Sequence, residues 1–322
     1  MVQIGTKTYN TEDLALVVPT YNRPEKVKIL LGSIVEQDAK VGRIIIVDGG
    51  ESIRSVVDAF SGVLPVEYYH CSPPGQIRQR NLGISLLNER TPLVASMDDD
   101  IVLEPGALAA MIRCWNEKPE NTAAVAFNII NNLKHHYSFF KALVNMSARG
   151  EGRVLKSGCN TTFGNTDREQ RVQWVYGGAT VWRFGVLRKY PHREIRSRWA
   201  YCEDLIYSYP IGKEHPLYVC AEARVRHEHV FTNPTTASAV YRGRNSLLWR
   251  LFFIQLNPEL SGVLFMLQQG LVIPLRFIRG GMAKNAEEIR YDKGQLKGWV
   301  LGLLCLLRRE NVLTLIKESD HR

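Results

Sequence analysis

Residues 14–48 read LALVVPTYNRPEKVKILLGSIVEQDAKVGRIIIVD, and this stretch decides the fold. The apolar runs Leu14–Val18 and Arg43–Val47 are typical of strands that are buried in a parallel sheet. Between them, apolar residues recur at helical spacing after Pro24, a residue that favours the first turn of a helix. The stretch therefore predicts a strand–helix–strand unit in which the two strands lie parallel.

The same alternation continues beyond this unit. We predict further strands near Val66–Tyr69, Leu93–Met97, Leu217–Val219 and Ala223–His229. We predict further helices near Ser52–Phe60, Gln76–Glu89, Pro105–Trp115, Val181–Tyr190 and Asp204–Ile211. From Thr235 on, the pattern is helical. The sequence thus predicts an α/β fold with a mostly parallel sheet and a helical C-terminal appendage, divided into a catalytic domain of residues 1–234 and a helical region of residues 235–322.

Composition and charge limit the class of protein. The chain has 322 residues, of which 45% are apolar and 23% charged, so a wholly disordered, collagen-like or coiled-coil protein is excluded. The formal net charge is +9, and residues 241–322 carry 13 Lys/Arg against 7 Asp/Glu, a net of +6. A basic balance favours an anionic partner, such as nucleic acid, a nucleotide phosphate or an anionic lipid.

The cysteines and the N-terminal sequence bear on the compartment. Six cysteines are scattered along the chain and none forms a CxxC pair, which disfavours a zinc ribbon and predicts free thiols in a reducing compartment. The first 18 residues contain no apolar run of signal-peptide length. We therefore expect a cytoplasmic location.

The C-terminal quarter contains three apolar segments, Leu247–Leu256, Leu260–Ile278 and Leu296–Leu307, bordered by Lys and Arg. The longest uncharged run, Leu260–Leu275, has 16 residues, whereas a membrane span needs about 20. Apolar faces with basic borders are typical of helices that lie on an anionic membrane, and we expect a peripheral protein at the inner face of the cell membrane. The alternative is a helical subdomain packed on the sheet, or an oligomer interface.

Polar clusters follow the strands that end at Val18, Val47 and Met97, and ligands of such sheets bind at the carboxyl ends of the strands. Asp98-Asp99-Asp100 is the sharpest cluster, because three adjacent carboxylates repel each other unless a cation or basic groups neutralise them. Alternate residues of an extended segment point the same way, so Asp98 and Asp100 could share a face and bind Mg²⁺ or Mn²⁺. The alternative is a solvated acidic loop.

Other candidates are less specific when taken alone. Asp48 is either a turn residue or an acceptor for a nucleobase or ribose. Arg80 is either a surface charge or a residue that faces the phosphates or the acidic cluster. Glu203 and Asp204 either complement the N-terminal dipole of a helix or supply a general base. In His227-Glu228-His229, both histidines lie on one strand face and are either structural or metal ligands.

Seven motifs, taken in order, resemble the family 2 glycosyltransferases of GT-A fold over roughly residues 12–250. They are VVPTYNR at Val17–Arg23, IIIVDGG at Ile44–Gly50, RNLGI at Arg80–Ile84, SMDDDI at Ser96–Ile101, GGATVWR at Gly177–Arg183, CEDLIYSY at Cys202–Tyr209 and YRGRN at Tyr241–Asn245. The resemblance implies transfer of a sugar from a nucleotide diphosphate sugar to an acceptor hydroxyl, with inversion at the anomeric carbon. It implies no nucleic-acid partner.

The resemblance also implies roles for individual residues. It places the nucleotide at Pro19, Thr20, Tyr21, Arg23, Asp48, Arg80, Asp98 and Asp99. It implies a DxD metal motif at Asp98 and Asp100, with His227 or His229 near the metal or diphosphate, and an acceptor loop at Gly177 and Gly178. Asp204 matches the catalytic base, and Glu203 would contact acceptor or donor.

Two departures from the family pattern affect specificity. Gly49 and Gly50 follow Asp48 directly, where many relatives have a second acidic or amide residue, which leaves the nucleobase open. Arg198-Trp199 precedes Glu203-Asp204 and lacks the glutamine of processive relatives, so we expect addition of one hexosyl or deoxyhexosyl unit. Because we expect the C-terminal helices to lie on a membrane, we expect the acceptor to be a lipid-linked saccharide in cell-surface or extracellular polysaccharide synthesis. The rival functions are a sugar-phosphate nucleotidyltransferase, disfavoured because no Gly-rich phosphate loop follows the first strand, and a non-catalytic nucleotide-sugar-binding membrane adaptor.

Overall fold

A computed structural model describes residues 8–195, 201–228 and 238–320 of the chain. Its strands are β1 Leu14–Thr20, β2 Arg43–Asp48, β3 Val66–His70, β4 Leu93–Met97, β5 Ile101–Leu103, β6 Ala124–Ile129, β7 Gln170–Val172, β8 Ala179–Arg183 and β9 Leu217–His227. Its helices are α1 Pro24–Val35, α2 Arg54–Asp58, α3 Gln76–Ser85, α4 Ala107–Asn116, α5 Phe139–Leu143, α6 Phe184–Lys189, α7 Glu203–Glu214, α8 Ala239–Gln255, α9 Gly262–Met282, α10 Ala286–Leu307 and α11 Val312–Asp320.

The chain divides into two compact units. Unit 1 comprises Met1–Lys134, Phe163–Glu194 and Tyr207–His229, and unit 2 comprises His135–Thr162, Ile195–Ile206 and Val230–Arg322. The predicted domain boundary between residues 234 and 235 lies outside the described residues. Two described stretches that the prediction assigned to the catalytic domain, residues 135–162 and 201–206, group with the C-terminal helices.

Unit 1 is built on one sheet with the order β3-β2-β1-β4-β8-β6-β9-β5, and β7 pairs with β9. The strands β3, β2, β1 and β4 are mutually parallel, and β6 is parallel to β9. All seven residues of β1 are buried, as expected of a central strand that is covered on both faces. The expected α/β fold with a helical C-terminal region is confirmed.

One predicted helix is partly wrong. Val181–Tyr190 was expected to be helical throughout, but Ala179–Arg183 forms β8 and only Phe184–Lys189 is a helix. The strand lies antiparallel between β4 and β6, and its residues Ala179–Trp182 are buried on both faces. Periodicity alone does not separate a short, fully buried strand from a buried helical segment.

The parallel register brings strand ends to one edge of the sheet. Thr20 is the partner of Asp48, and Asp48 is the partner of His70, so β1, β2 and β3 end side by side. Next to β1, β4 ends at Met97, directly before the acidic cluster. The sheet therefore brings the polar residues after three strands together at one edge, as the sequence predicted.

Unit 2 contains a close-packed helical pair. A Cβ added at Gly243 of α8 would lie 2.0 Å from the carbonyl oxygen of Tyr291 of α10, and one added at Gly294 would lie 2.0 Å from that of Val240. Only glycine lets the two backbones approach so closely. Among the described residues, α9 is the one helix long and apolar enough to cross a membrane, by length and composition.

Candidate active site

The acidic cluster forms the turn between β4 and β5. The short strand β5 pairs antiparallel with β9, and its first residue, Ile101, is the partner of His227. This pairing brings the His227 ring to Asp100, with 2.8 Å between Nε2 and Oδ1. The backbone N–H of Glu228 donates to the carbonyl oxygen of Asp100 at 2.8 Å and fixes the same register. Residues 127 positions apart are thereby held together.

Asp98, Asp100 and His227 meet the geometric requirement for a metal site. One ligand atom from each of the three side chains lies within 4.8 Å of the other two. Two carboxylates and an imidazole suit Mn²⁺ well, and they also suit Mg²⁺ if most of its other ligands are oxygens of water and phosphate. The donor set therefore fits the expected divalent cation. His229, the other candidate ligand, lies outside the described residues.

Asp98 is held by two side chains of α3. Arg80 Nη2 donates to Asp98 Oδ1 at 2.7 Å, and Gln76 Nε2 donates to the same oxygen at 3.2 Å. The Arg80 side chain is 2% exposed and that of Asp98 is 24% exposed. Arg80 is therefore a buried charge whose carboxylate partner reaches the surface of the site.

Gly177 and Gly178 run alongside the end of β4. Ser96 Oγ donates to the carbonyl oxygen of Gly177 at 2.6 Å, and the backbone N–H of Asp98 donates to that of Gly178 at 2.8 Å. A Cβ added at Gly178 would lie 1.9 Å from Asp98 Oδ2. The second glycine is therefore required by the position of the Asp98 carboxylate. Contact of this loop with an acceptor remains a prediction.

Asp99 points into unit 1 and is almost fully buried. Its oxygens accept bonds from Thr20 Oγ1 at 2.7 Å and from Arg23 Nη1 at 3.1 Å. Burial raises the pKa of Asp99, and the two donors oppose that effect. Arg23 Nη1 also lies 3.4 Å from Asp100 Oδ2, and its side chain is 47% exposed. Arg23 thus bridges the acidic turn and the β1 end while half of its side chain stays open to solvent.

Asp48 is fully buried, and its carboxylate organises the loop after β2. Oδ1 accepts the N–H of Gly50 at 2.9 Å, and Oδ2 accepts the Tyr68 hydroxyl at 2.8 Å. Its oxygens therefore already accept bonds from the protein. The contact of Asp48 with a base or ribose stays a prediction.

Two residues that the sequence analysis did not single out shape the same edge. Gln79 Nε2 donates to the carbonyl oxygens of Thr20 and Val47 at 2.6 and 2.7 Å, where β1 and β2 end. Asn22, with a φ of 53°, accepts the N–H of Glu51 at 2.7 Å. Its side chain leaves no room for a Cβ at Gly50, where one would lie 2.0 Å from Asn22 Oδ1. The sequence signal for Asn22 was its position two residues after the end of β1, whereas Gln79, inside α3, carried no such signal.

The remaining predicted residues are placed as follows. Pro19 is buried within β1, whereas Tyr21 is 54% exposed directly after the strand. Glu203 and Asp204 lie half-buried in the first turn of α7, in the part of that helix that belongs to unit 2. Their roles toward donor and acceptor stay predictions.

The charges of the acidic turn do not balance. Asp98, Asp99 and Asp100 face the two guanidinium groups of Arg23 and Arg80 and the His227 ring, so with His227 neutral these described groups carry one excess negative charge. Carboxylates at such short separations are stabilised by a nearby cation. The electrostatics and the ligand geometry therefore agree on a cation site.

Comparison with known proteins gives the family. The model of glycosyl transferase family 2 matches residues 15–190. Crystal structures of residues 1–349 of S. aureus TarS share the fold: one has a TM-score of 0.53 at 13% identity, over 95% of this chain and 87% of that chain. Another, in complex with UDP, has a TM-score of 0.50 at 14% identity over the same shares. No curated protein matches significantly. Because the family model covers more than half of the chain, the protein belongs to glycosyltransferase family 2 and has the GT-A fold.

Proposed function

We propose that the protein is a metal-dependent inverting glycosyltransferase whose donor site is the acidic turn of unit 1. The observation that carries this proposal is the meeting of Asp98, Asp100 and His227 ligand atoms within 4.8 Å. Asp98 and Asp100 form the DxD motif, and together with His227 they would hold Mg²⁺ or Mn²⁺. A cation bound there would stabilise the negative charge that develops on a diphosphate leaving group.

The residues of the chain itself bind and orient the donor. Arg23, with half of its side chain open to solvent, is placed to pair with diphosphate oxygens, because a guanidinium binds phosphate with two parallel hydrogen bonds. The buried Arg80 fixes the Asp98 carboxylate through the 2.7 Å bond. Asp99, which accepts a hydrogen bond from Thr20, pairs with Arg23 and holds it in place.

A thermal-shift screen tests the donor site. A ligand that binds only the folded state raises the apparent stability by RT ln(1 + [L]/Kd). We expect nucleoside diphosphates and their sugars to raise the unfolding temperature only with Mn²⁺ or Mg²⁺ present, and Asp100→Asn to abolish that metal-dependent rise. Asp38→Asn, at an exposed carboxylate of unit 1, is the matched control. An undiminished metal-dependent rise in Asp100→Asn would refute the site.

The nucleobase is proposed from the comparison with solved structures. The TarS fragment that shares the fold was crystallised with UDP, so uridine diphosphate sugars come first in the screen. Guanosine and thymidine diphosphate sugars are the comparison set. A metal-dependent rise with a guanosine or thymidine donor alone would overturn the uridine assignment and leave the donor site intact.

For the transfer step, we assign proton removal to Asp204 and contact with acceptor or donor to Glu203. The acceptor oxygen forms a bond to the anomeric carbon as the bond from that carbon to the diphosphate oxygen breaks, with the electron pair leaving on the diphosphate. The Asp204 carboxylate takes the hydroxyl proton. A single displacement of this kind inverts the anomeric configuration. Gly177 and Gly178 would let the acceptor pass close to the sugar.

Asp204→Asn separates transfer from donor binding. We expect the metal-dependent thermal shift to persist while transfer falls by about 10²-fold or more, the scale of a lost general base. Glu214→Gln, at the other end of α7, is the control and should transfer normally. Transfer by Asp204→Asn at the wild-type rate would refute the base assignment, and a product with retained configuration by NMR would refute inversion.

We also propose that the acceptor is a lipid-linked saccharide, extended by one hexosyl or deoxyhexosyl unit during synthesis of a cell-surface or extracellular polysaccharide, at the inner face of the cell membrane. Support comes from the basic C-terminal quarter and its apolar helices. Transfer of labelled sugar into organic-extractable lipid of host membranes tests this. Label found only in water-soluble product would contradict it.

A further inference from the structure

One side of α9 is apolar and open to solvent. Six of its residues are at least 60% exposed: Val263, Leu267, Leu271, Leu275, Ile278 and Met282. They recur at steps of four and three residues, so they form a continuous stripe along the helix, about 30 Å long at 1.5 Å per residue. Soluble monomers rarely expose an apolar stripe of this extent.

Two neighbours of α9 in unit 2 also expose apolar residues. The helix α10, which packs on α9, exposes its own stripe of Leu296, Val300, Leu304 and Leu307. The short helix α5 exposes Phe139, Phe140 and Leu143 at 61%, 80% and 68%. Gln268 of α9 donates to the carbonyl oxygen of Val144, directly after α5, which places α5 beside α9. We call these three exposed sets together the apolar surface of unit 2.

The opposite side of α9 is packed within unit 2. Phe265, Met266 and Ile273 are buried there, and Trp299 of α10 donates its indole N–H to the carbonyl oxygen of Met266 at 2.8 Å. Arg276 Nη1 donates to Gln295 Oε1 of α10. The helix is therefore two-sided, with one packed side and one unpartnered apolar side. This is the arrangement of a helix that lies in a membrane interface rather than one surrounded by lipid.

The charge of α9 and α10 indicates which kind of surface would cover the exposed apolar side of α9. Residues 262–309 carry eight Lys/Arg against three Asp/Glu, a net of +5. Seven of the basic residues are exposed: Arg279, Lys284, Arg290, Lys293, Lys297, Arg308 and Arg309. One of the acidic residues, Glu287, is neutralised by Arg242 from outside this segment, and Glu288 pairs with Arg279 within it. An apolar stripe on a net basic helix pair complements an anionic lipid surface, whereas two like-charged copies of the pair would repel each other.

We propose that the apolar surface of unit 2 docks on an anionic membrane, with α9 lying parallel to the bilayer plane and the α9 and α5 side chains inserted among the lipids. The exposed lysines and arginines would pair with the lipid phosphates. This deepens the membrane-associated function proposed above by naming the docking surface. Its test does not depend on sugar transfer.

Flotation with vesicles tests the proposal. We expect the wild-type protein to float with vesicles of phosphatidylcholine containing about one-third phosphatidylglycerol, to bind pure phosphatidylcholine several-fold less, and to weaken on the anionic vesicles as salt screens the charges. The triple variant Leu267→Glu, Leu271→Glu, Leu275→Glu should lose about tenfold or more of the bound fraction. Ile29→Glu, Val35→Glu, Val63→Glu, at exposed apolar residues of unit 1, is the matched control and should float like wild type.

Three results would overturn the proposal: no flotation of the wild type with anionic vesicles, flotation of the α9 triple variant equal to wild type, or equal loss in the control. Light scattering without vesicles tests whether a second copy of the chain, rather than a membrane, covers the apolar surface of unit 2. A wild-type dimer that the α9 variant converts to a monomer, with no vesicle binding by either, would assign the surface to self-association. The metal-dependent thermal shift with nucleoside diphosphate reports folding of the α9 variant, and its absence in wild type would refute the donor site alone.

Discussion

Replacing Gly178 with alanine tests the geometry of the acidic turn directly. The added Cβ would lie 1.9 Å from Asp98 Oδ2, 2.1 Å from Cγ and 2.6 Å from Oδ1, so the whole carboxylate has to move. Moving it breaks the 2.7 Å bond to Arg80, whose side chain is 2% exposed. An uncompensated buried charge costs about 3–5 kcal/mol when its partner is deleted. Here the displaced carboxylate stays nearby and is 24% exposed, so screening reduces the expected cost to about 1–3 kcal/mol.

The expected result is a lower unfolding temperature and weaker metal binding. At about 2–4 °C per kcal/mol for a domain of this size, Gly178→Ala should unfold roughly 2–12 °C below wild type. Calorimetric titration should show Mn²⁺ affinity reduced by about 10-fold or more, because a ligand has left its position. Gly185→Ala is the control, since a Cβ there meets nothing within 4 Å. An unfolding temperature within about 1 °C of wild type, with unchanged Mn²⁺ affinity, would refute the steric argument.

Three further predictions concern groups that support the site. Burial, together with the charge of Arg80, lowers the pKa of His192 to about 3 from its ordinary 6.5. Unfolding therefore takes up a proton between these pH values, and the free energy of unfolding falls as the pH drops below 6.5, by about 2 kcal/mol at pH 5. Urea unfolding from pH 7.5 to 5 should show that slope, and a His192→Phe variant with the full wild-type slope would contradict the prediction. Tyr68→Phe removes the hydroxyl that donates to buried Asp48 and should cost about 1.5–3 kcal/mol in chemical denaturation, whereas an effect below about 0.5 kcal/mol would mean that solvent replaces the bond. Gln79→Leu deprives the carbonyl oxygens that end β1 and β2 of a donor and should cost about 2–4 kcal/mol; wild-type stability in the same assay would refute its role as a clamp between the strands.

Much of the fold followed from local pattern. The buried runs at Leu14–Val18 and Leu93–Met97 correspond to β1 and β4, and the helical spacing after Pro24 corresponds to α1. The same reasoning failed at Ala179–Arg183, because a short apolar stretch buried on both faces shows no period that separates strand from helix. It also missed that Leu217–His227 is one strand, where two were expected.

The candidate site likewise contains residues that the sequence predicted and residues that it did not. Asp98 and Asp100 were recognisable because adjacent carboxylates at a strand end are costly without a cation. The importance of Gly178 for the Asp98 position and of Gln79 for the strand ends was not recognisable, because both depend on atoms brought close by antiparallel and helix–strand packing. No local pattern encodes those approaches.

By itself, the sequence determined the alternation of strands and helices from β1 to β4, the basic character of the C-terminal quarter and the acidic turn after β4, since each depends on residues that are near each other in the chain. Only the tertiary structure decided that His227 lies beside Asp100 in that turn, and which apolar residues of α9 stay outside the packed core. The physical reason is that β5–β9 pairing and α9–α10 packing join residues far apart in sequence, and the energies that select such contacts belong to the whole fold.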